Sequence, residues 1–148
     1  MTNAKDRQFA VVEKIFQYKG HECICIFTRL GCRCGYVSVD DDLSSGRYHE
    51  RYDHTKLDYA CHGGLSFGGR LPFDYGQTKS KYIGFDCGHY FDGADFEQAY
   101  EYGLITEEEW YRRNDDFYYL IEYPVCSLDY VEQNCKKLVD QIIGEEEK

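Results

Sequence analysis

No run of residues in this sequence approaches the length of a membrane span, and the segment from Met1 to Phe9 is polar, without the apolar core of a secretion signal. The expectation is a chain that stays in the cytosol and has no membrane partner. Positive charge is also scarce: 17 Lys and Arg stand against 27 Asp and Glu, a formal net charge of -10. That balance repels phosphate backbones at long range and argues against general nucleic-acid binding. Internal repeats and low-complexity linkers are absent as well, so residues 1–148 read as a single domain whose core needs neither metal nor disulfide to form.

Cysteine, by contrast, is plentiful. Eight of them would suggest a disulfide framework in a secreted chain, but in a reducing cytosol they serve as small buried hydrophobes, metal ligands or reactive thiols. No structural disulfide is expected. Cys23-x-Cys25 and Cys32-x-Cys34 would each put two thiols on one face of a strand, yet structural zinc ligands are usually spaced roughly two to four residues apart on turns, and these pairs sit in apolar β-like stretches. They read as core thiols, and neither stoichiometric zinc nor any other cofactor is expected. Fifteen tyrosines and nine phenylalanines are a heavy aromatic load for so acidic a chain. Most should fill the core; the remainder suit interfaces or stacking on bases.

The order along the chain is strands first, then helices, which predicts an α+β fold: about five strands in a largely antiparallel sheet with C-terminal helices packed on one face. Phe9 to Tyr18, Cys23 to Phe27 and Cys34 to Val39 form a meander, with Cys34 and Tyr36 on one face of the third strand and Val37 and Val39 on the other. Asp40 to Asp53 reads as a polar loop, Tyr59 to Phe67 and Lys81 to Cys87 as two further strands, and Pro72 to Ser80 as part of the loop between them. Period two then gives way to helical spacing. Thr106 and Glu109 form a capping box for a helix to about Asp116, and Pro124 breaks the pattern. Ser127 caps a last helix carrying Leu128, Val131, Cys135, Leu138, Val139 and Ile142 on one stripe, ended by Gly144.

Two glycine-bearing cassettes carry the chemistry: Cys61-His62-Gly63-Gly64-Leu65-Ser66-Phe67 and Ile83-Gly84-Phe85-Asp86-Cys87-Gly88-His89, the second followed by Asp92. Glycine lets backbone approach a neighbour or ligand closely, and Gly63-Gly64 could form an anion nest. His62, Asp86, His89 and Asp92 could bind a ligand, hold a divalent metal or work as an acid and base pair. A structural alternative has Asp86 and His89 bonding to backbone amides and bracing the loop. Neither cassette is a Walker or dinucleotide-binding fingerprint, and no serine or cysteine sits on a nucleophile elbow. The expected site is a pocket in which His62, Asp86 and His89 converge, joined by Gly63, Gly64 and Asp92, with Arg33 or Tyr36 at its wall.

Together with Tyr18-Lys19-Gly20-His21-x-Cys23, Gly31-Cys32-Arg33-Cys34-Gly35-Tyr36-Val37 and Tyr130-Val131-x-x-x-Cys135-Lys136-Lys137-Leu138, these cassettes resemble, in order, the blocks of a family of small accessory proteins of tailed phages and prophages of Gram-positive bacteria. The chain departs from that pattern in having Cys32 where a histidine precedes the arginine, and in an acidic, aromatic insertion at about 93–123. The resemblance implies a phage setting, the host cytoplasm, and a site at these blocks. Three functions compete in that setting. The first is a counter-defence protein that binds and sequesters a host nucleotide-derived immune signal. The second is an acidic inhibitor that imitates nucleic acid and occupies a host defence protein such as a nuclease, and the third is a metal-assisted hydrolase of a nucleotide signal. Self-association is left open.

Overall fold

The structure is a computed structural model that describes residues 8–42, 54–55, 57–71 and 80–146. The loop expected around Ser44-Ser45-Gly46, most of the Pro72 to Ser80 loop, and the last two residues of the tail lie outside the described residues. Strands β1 (Ala10–Tyr18), β2 (His21–Thr28), β3 (Arg33–Asp42), β4 (Phe67–Gly69) and β5 (Ser80–Asp86) form one sheet in the order β1-β2-β3-β5-β4, with every neighbouring pair antiparallel. The helices are α1 (Phe96–Glu101), α2 (Glu107–Asp116), α3 (Tyr118–Ile121) and α4 (Leu128–Glu146). The fold is therefore α+β with a five-stranded antiparallel sheet, as the switch of period implies. No helix among the described residues is long and apolar enough to cross a membrane.

Local sequence accounts for the meander. Lys19 and Gly20 both take left-handed backbone, φ 50° and 85°, the twist that joins two strands through a two-residue turn. Strand alternation then divides the side chains of β2 and β3 between two faces. Cys23, Cys25, Val37 and Val39 meet Ile83 and Phe85 of β5 on one face, and Val131, Cys135, Leu138, Val139 and Ile142 of α4 close over them, all fully buried. Gly35 lies under that contact. A Cβ there would stand 2.7 Å from the Phe85 ring and 2.8 Å from Cys135 Sγ, so glycine is what lets α4 seat against β3. Ile24, Ile26, Cys34 and Tyr82 line the opposite face with Leu71.

The segment after β5 is part of the core. Ala94, Phe96, Ala99, Leu104 and Ile105 bury themselves against Phe27, so the acidic, aromatic segment after β5 extends the covering of the sheet beyond α4. Its helix α2 opens with the expected capping box, Thr106 accepting from the Glu109 amide and Glu109 returning a bond to the Thr106 amide. Four details differ from the sequence reading. Tyr59 to Ser66 is irregular, because its first half bonds to side chains of α4: the Ala60 amide donates to Gln141 Oε1, Gln141 Nε2 donates to the Ala60 carbonyl, and the His62 amide donates to Asn134 Oδ1, and the chain rejoins the sheet where the Ser66 amide donates to the Gly84 carbonyl of β5. Helix α1, capped by Asp95, replaces what had no assigned element. β3 runs on through Asp42, and α4 continues past Gly144 to Glu146.

Because neither Phe85 nor Cys135 has room to retreat, Gly35→Ala should destabilise the fold by about 1–3 kcal/mol through overpacking. Chemical denaturation is the measure, and a midpoint equal to that of the unsubstituted protein would show that α4 seats without this contact.

Candidate functional site

The second cassette builds one half of the site. After β5 the chain turns so that the Asp92 amide donates to the His89 carbonyl at 2.9 Å, and this brings the Asp92 carboxylate back over the turn. Asp92 Oδ2 accepts from the His89 amide at 2.9 Å and from His89 Nδ1 at 2.9 Å. Three backbone bonds fix the strap that follows: the Gly93 amide to the Pro124 carbonyl, Ala94 to Leu120 and Asp95 to Gly31. A Cβ on Gly93 would lie 2.0 Å from the Tyr123 carbonyl oxygen, so no other residue fits the strap at that point.

The first cassette and α4 build the other half. With its amide held by Asn134, His62 directs Nδ1 to the Tyr130 hydroxyl at 2.9 Å and Nε2 to both oxygens of Asp92, at 2.8 and 2.9 Å. Gly63, at φ 70°, passes under the His89 ring where a Cβ would come within 2.1 Å of it. Asp92 is only 9% exposed. Burial works against its ionisation, but the bonds from His62 and from the His89 amide and ring outweigh it and hold the carboxyl below its ordinary range.

Two thiols complete the group. Cys126 Sγ stands 3.6 Å from His62 Nε2 and 3.9 Å from Asp92 Oδ1, and buried Cys87, the residue after β5, has Sγ within 4.8 Å of both Cys126 Sγ and a ring nitrogen of His62. Both are free thiols, pushed upward in pKa first by burial. A nucleophilic triad would need His62 to face the thiol with one nitrogen and the carboxylate with the other. Here both face Nε2, so the geometry does not relay a proton from Cys126 to Asp92. It gathers nitrogen, oxygen and sulfur donors around one volume.

Of the residues singled out by sequence, His62, His89 and Asp92 come together, with Gly63 as the close approach between the cassettes. Gly64 takes φ 81° in the tight turn after Cys61 and has open space around it. Asp86 stays at the rim, accepting from the Gly88 amide at 3.1 Å, with an oxygen 3.8 Å from His89 Nε2. Tyr36 lies on the opposite face of the sheet with Ile24 and Cys34, its ring edge-to-face with Phe67, and so forms no wall of the site. Arg33 does not reach the histidines. A β1 bulge between Val12 and Lys14 brings Glu13 to within 2.6 Å of Arg33 Nε, and Arg33 Nη1 donates to the Cys126 carbonyl at 2.8 Å. Its place is behind the cluster, holding the backbone that presents Cys126. Cys126 and Asn134 carry no local motif, and Tyr130, though it opens one of the sequence blocks, has no role assigned by the sequence; the helical spacing of Tyr130 and Asn134 on α4 marks them as one face.

Beside the cluster lies a cavity of about 420 Å³. His89 and Asp92 form one side, Leu30, Phe96, Phe117 and Leu120 supply apolar walls, and Arg113 contributes a cation. Arg113 donates to the Arg29 carbonyl and sits 3.8 Å from Glu109 Oε2. Cys32 also lines the cavity.

Substituting Gly63→Ala should dislodge the His89 ring and strain the left-handed turn, costing about 1–3 kcal/mol, whereas Gly64→Ala, strained in φ but unopposed sterically, should cost less. Thermal melts of the two variants, with His89 ring shifts from NMR, measure the difference; an unmoved His89 signal in Gly63→Ala would contradict the packing described. Comparison with protein-family models, with curated proteins and with solved structures gives no match, so the reading of this site rests on its own geometry.

Proposed function

We propose that the protein captures a small nucleotide-like anion in the cavity beside His89 and Asp92, and that in the host cytoplasm of an infected cell it sequesters such a molecule as a counter-defence. The cavity carries this reading. Its volume falls in the range of small-molecule sites, and its lining has their usual character: mostly apolar, with a few convergent polar groups. Phe96 and Phe117 offer faces or edges to a ring system, Arg113 offers guanidinium donors to a phosphate, and His89 and Asp92 offer a polar edge. The overall charge of -10 makes one buried-edge cation more selective for a small anion than for a polyanion, which the rest of the surface repels.

A second reading has its own observation. Tyr90 and Phe91 are 79% and 69% exposed, and Tyr111, Tyr118 and Ile121 add further apolar surface among the exposed carboxylates Glu107, Glu108, Asp115 and Asp116. Aromatic groups set in acidic surroundings suit a protein partner with a nucleic-acid-binding face.

Incubating the protein with a panel of cyclic and linear nucleotides, washing, denaturing and identifying what is released separates the readings. Release of an intact nucleotide is the expected result, and Arg113→Gln should weaken its capture roughly 10- to 100-fold, as loss of a charged hydrogen bond does. Release of a cleaved product would support metal-assisted hydrolysis. No retention of any nucleotide would remove the capture reading, and inhibition of a nuclease that charge reversal at Glu107, Glu108, Asp115 and Asp116 abolishes would establish the surface reading.

A further inference from the structure

We infer that His62, Cys87, Cys126 and Asp92 form a zinc site at the edge of the cavity. The inference is independent of what the cavity captures, and it departs from the expectation that the chain holds no metal, which rested on the N-terminal cysteines alone. Those four thiols contribute nothing here: Cys23 and Cys25 lie under α4, Cys34 on the opposite face and Cys32 in the cavity wall.

Three observations carry it. The first is convergence. His62, Cys87 and Cys126 each offer a ligand atom, all within 4.8 Å of one another, and Asp92 Oδ1 lies 2.8 Å from His62 Nε2 and 3.9 Å from Cys126 Sγ. Zinc bond lengths to sulfur and nitrogen imply an edge of about 3.6 Å between those donors in a tetrahedron. The Cys126 Sγ to His62 Nε2 distance is 3.6 Å. To reach a tetrahedral edge the His62 to Asp92 separation must open by roughly half an ångström, and Cys87 must draw in towards the other three donors as the ion binds.

The second is the surrounding shell. A metal-bound histidine is normally held at its other nitrogen, and a metal-bound carboxylate at its other oxygen. Tyr130 occupies His62 Nδ1, and the His89 amide and ring occupy Asp92 Oδ2, which leaves Nε2 and Oδ1 for the ion. The Tyr130 hydroxyl can accept as well as donate, so when Nε2 gives up its bond to Asp92 and binds metal, the single proton of neutral His62 can sit on Nδ1. The two thiol protons leave to solvent as the ion enters.

The third is chemistry. Two thiolates with one imidazole and one carboxylate form a soft, borderline set that suits zinc and not magnesium or calcium. The elements that carry the ligands are also fixed independently of any ion, by the Gly93 strap, by Asn134 on His62 and by Arg33 on the Cys126 carbonyl.

The test is metal content of the full chain purified with zinc and without chelator, together with the spectrum of the cobalt-loaded protein. The expected result is close to one zinc per chain, a higher melting temperature with zinc than after chelation, and a thiolate-to-cobalt charge-transfer band. Cys126→Ser should lower that band while Cys61→Ser leaves it unchanged, and Tyr130→Phe should weaken zinc affinity roughly 10- to 100-fold without removing the band. Should Cys126→Ser fail to fold, His62→Gln provides the same comparison through zinc content and affinity. A folded protein that retains no zinc, a cobalt spectrum without thiolate character, or a Cys87 to Cys126 disulfide formed in place of metal binding would each overturn the inference.

Discussion

The strap from Asp92 to Asp95 is the constraint on which the rest of the site depends. It passes between two other pieces of backbone, bonded to Gly31 on one side and to Leu120 and Pro124 on the other, and each near side is glycine. A Cβ on Gly31 would lie 2.9 Å from the Asp95 amide nitrogen, and one on Gly93 would collide with the Tyr123 carbonyl. Backbone can approach backbone this closely only where side chains are missing. The strap thereby joins the β2–β3 turn, the segment that carries α1 and α2 and the segment before α4, and it aims Asp92 at His62 and brings Cys126 to face them both.

Helix α4 works in two directions at once. Its stripe of Val131, Cys135, Leu138, Val139 and Ile142 anchors it to the sheet, while Tyr130 and Asn134, one turn apart, hold His62 from the neighbouring face. Asn134 is buried, its Oδ1 accepting from the His62 amide while its Nδ2 donates to the Tyr130 carbonyl, so its orientation is fixed by the helix itself. Packing of the hydrophobic core and placement of a polar ring are therefore not separable at this helix: a shift of α4 along the sheet would move His62 with it.

The fold was legible because it is written in short-range periods. Alternation in β2 and β3 sets Cys34 and Tyr36 opposite Val37 and Val39, but it does not say which face α4 covers; α4 takes the valine face, so Tyr36, expected at the wall of the site, lies away from it. Tyr59 to Ser66 misled because apolar residues alternate there, while the bonding partners that decide its conformation, Asn134 and Gln141, lie 72 and 81 residues away. The site was half legible for the same reason. His62, His89 and Asp92 sit in glycine-bearing cassettes that mark them locally. Cys126 reaches His62 across 64 residues and has no motif, and Arg33 read as a ligand-facing cation because nothing nearby in sequence announces that Glu13 and the Cys126 carbonyl already occupy it.

The clamp of Gln141 on Ala60 gives the first cassette an unusual dependence. A side-chain amide there plays the part that a neighbouring strand plays elsewhere, donating to one backbone group and accepting from the other. The amides of Ala60 and His62 are thus protected by a helix and not by the sheet. In hydrogen exchange they should open with α4 and not with the meander. Assembly of the polar cluster therefore requires α4 to be seated on the sheet.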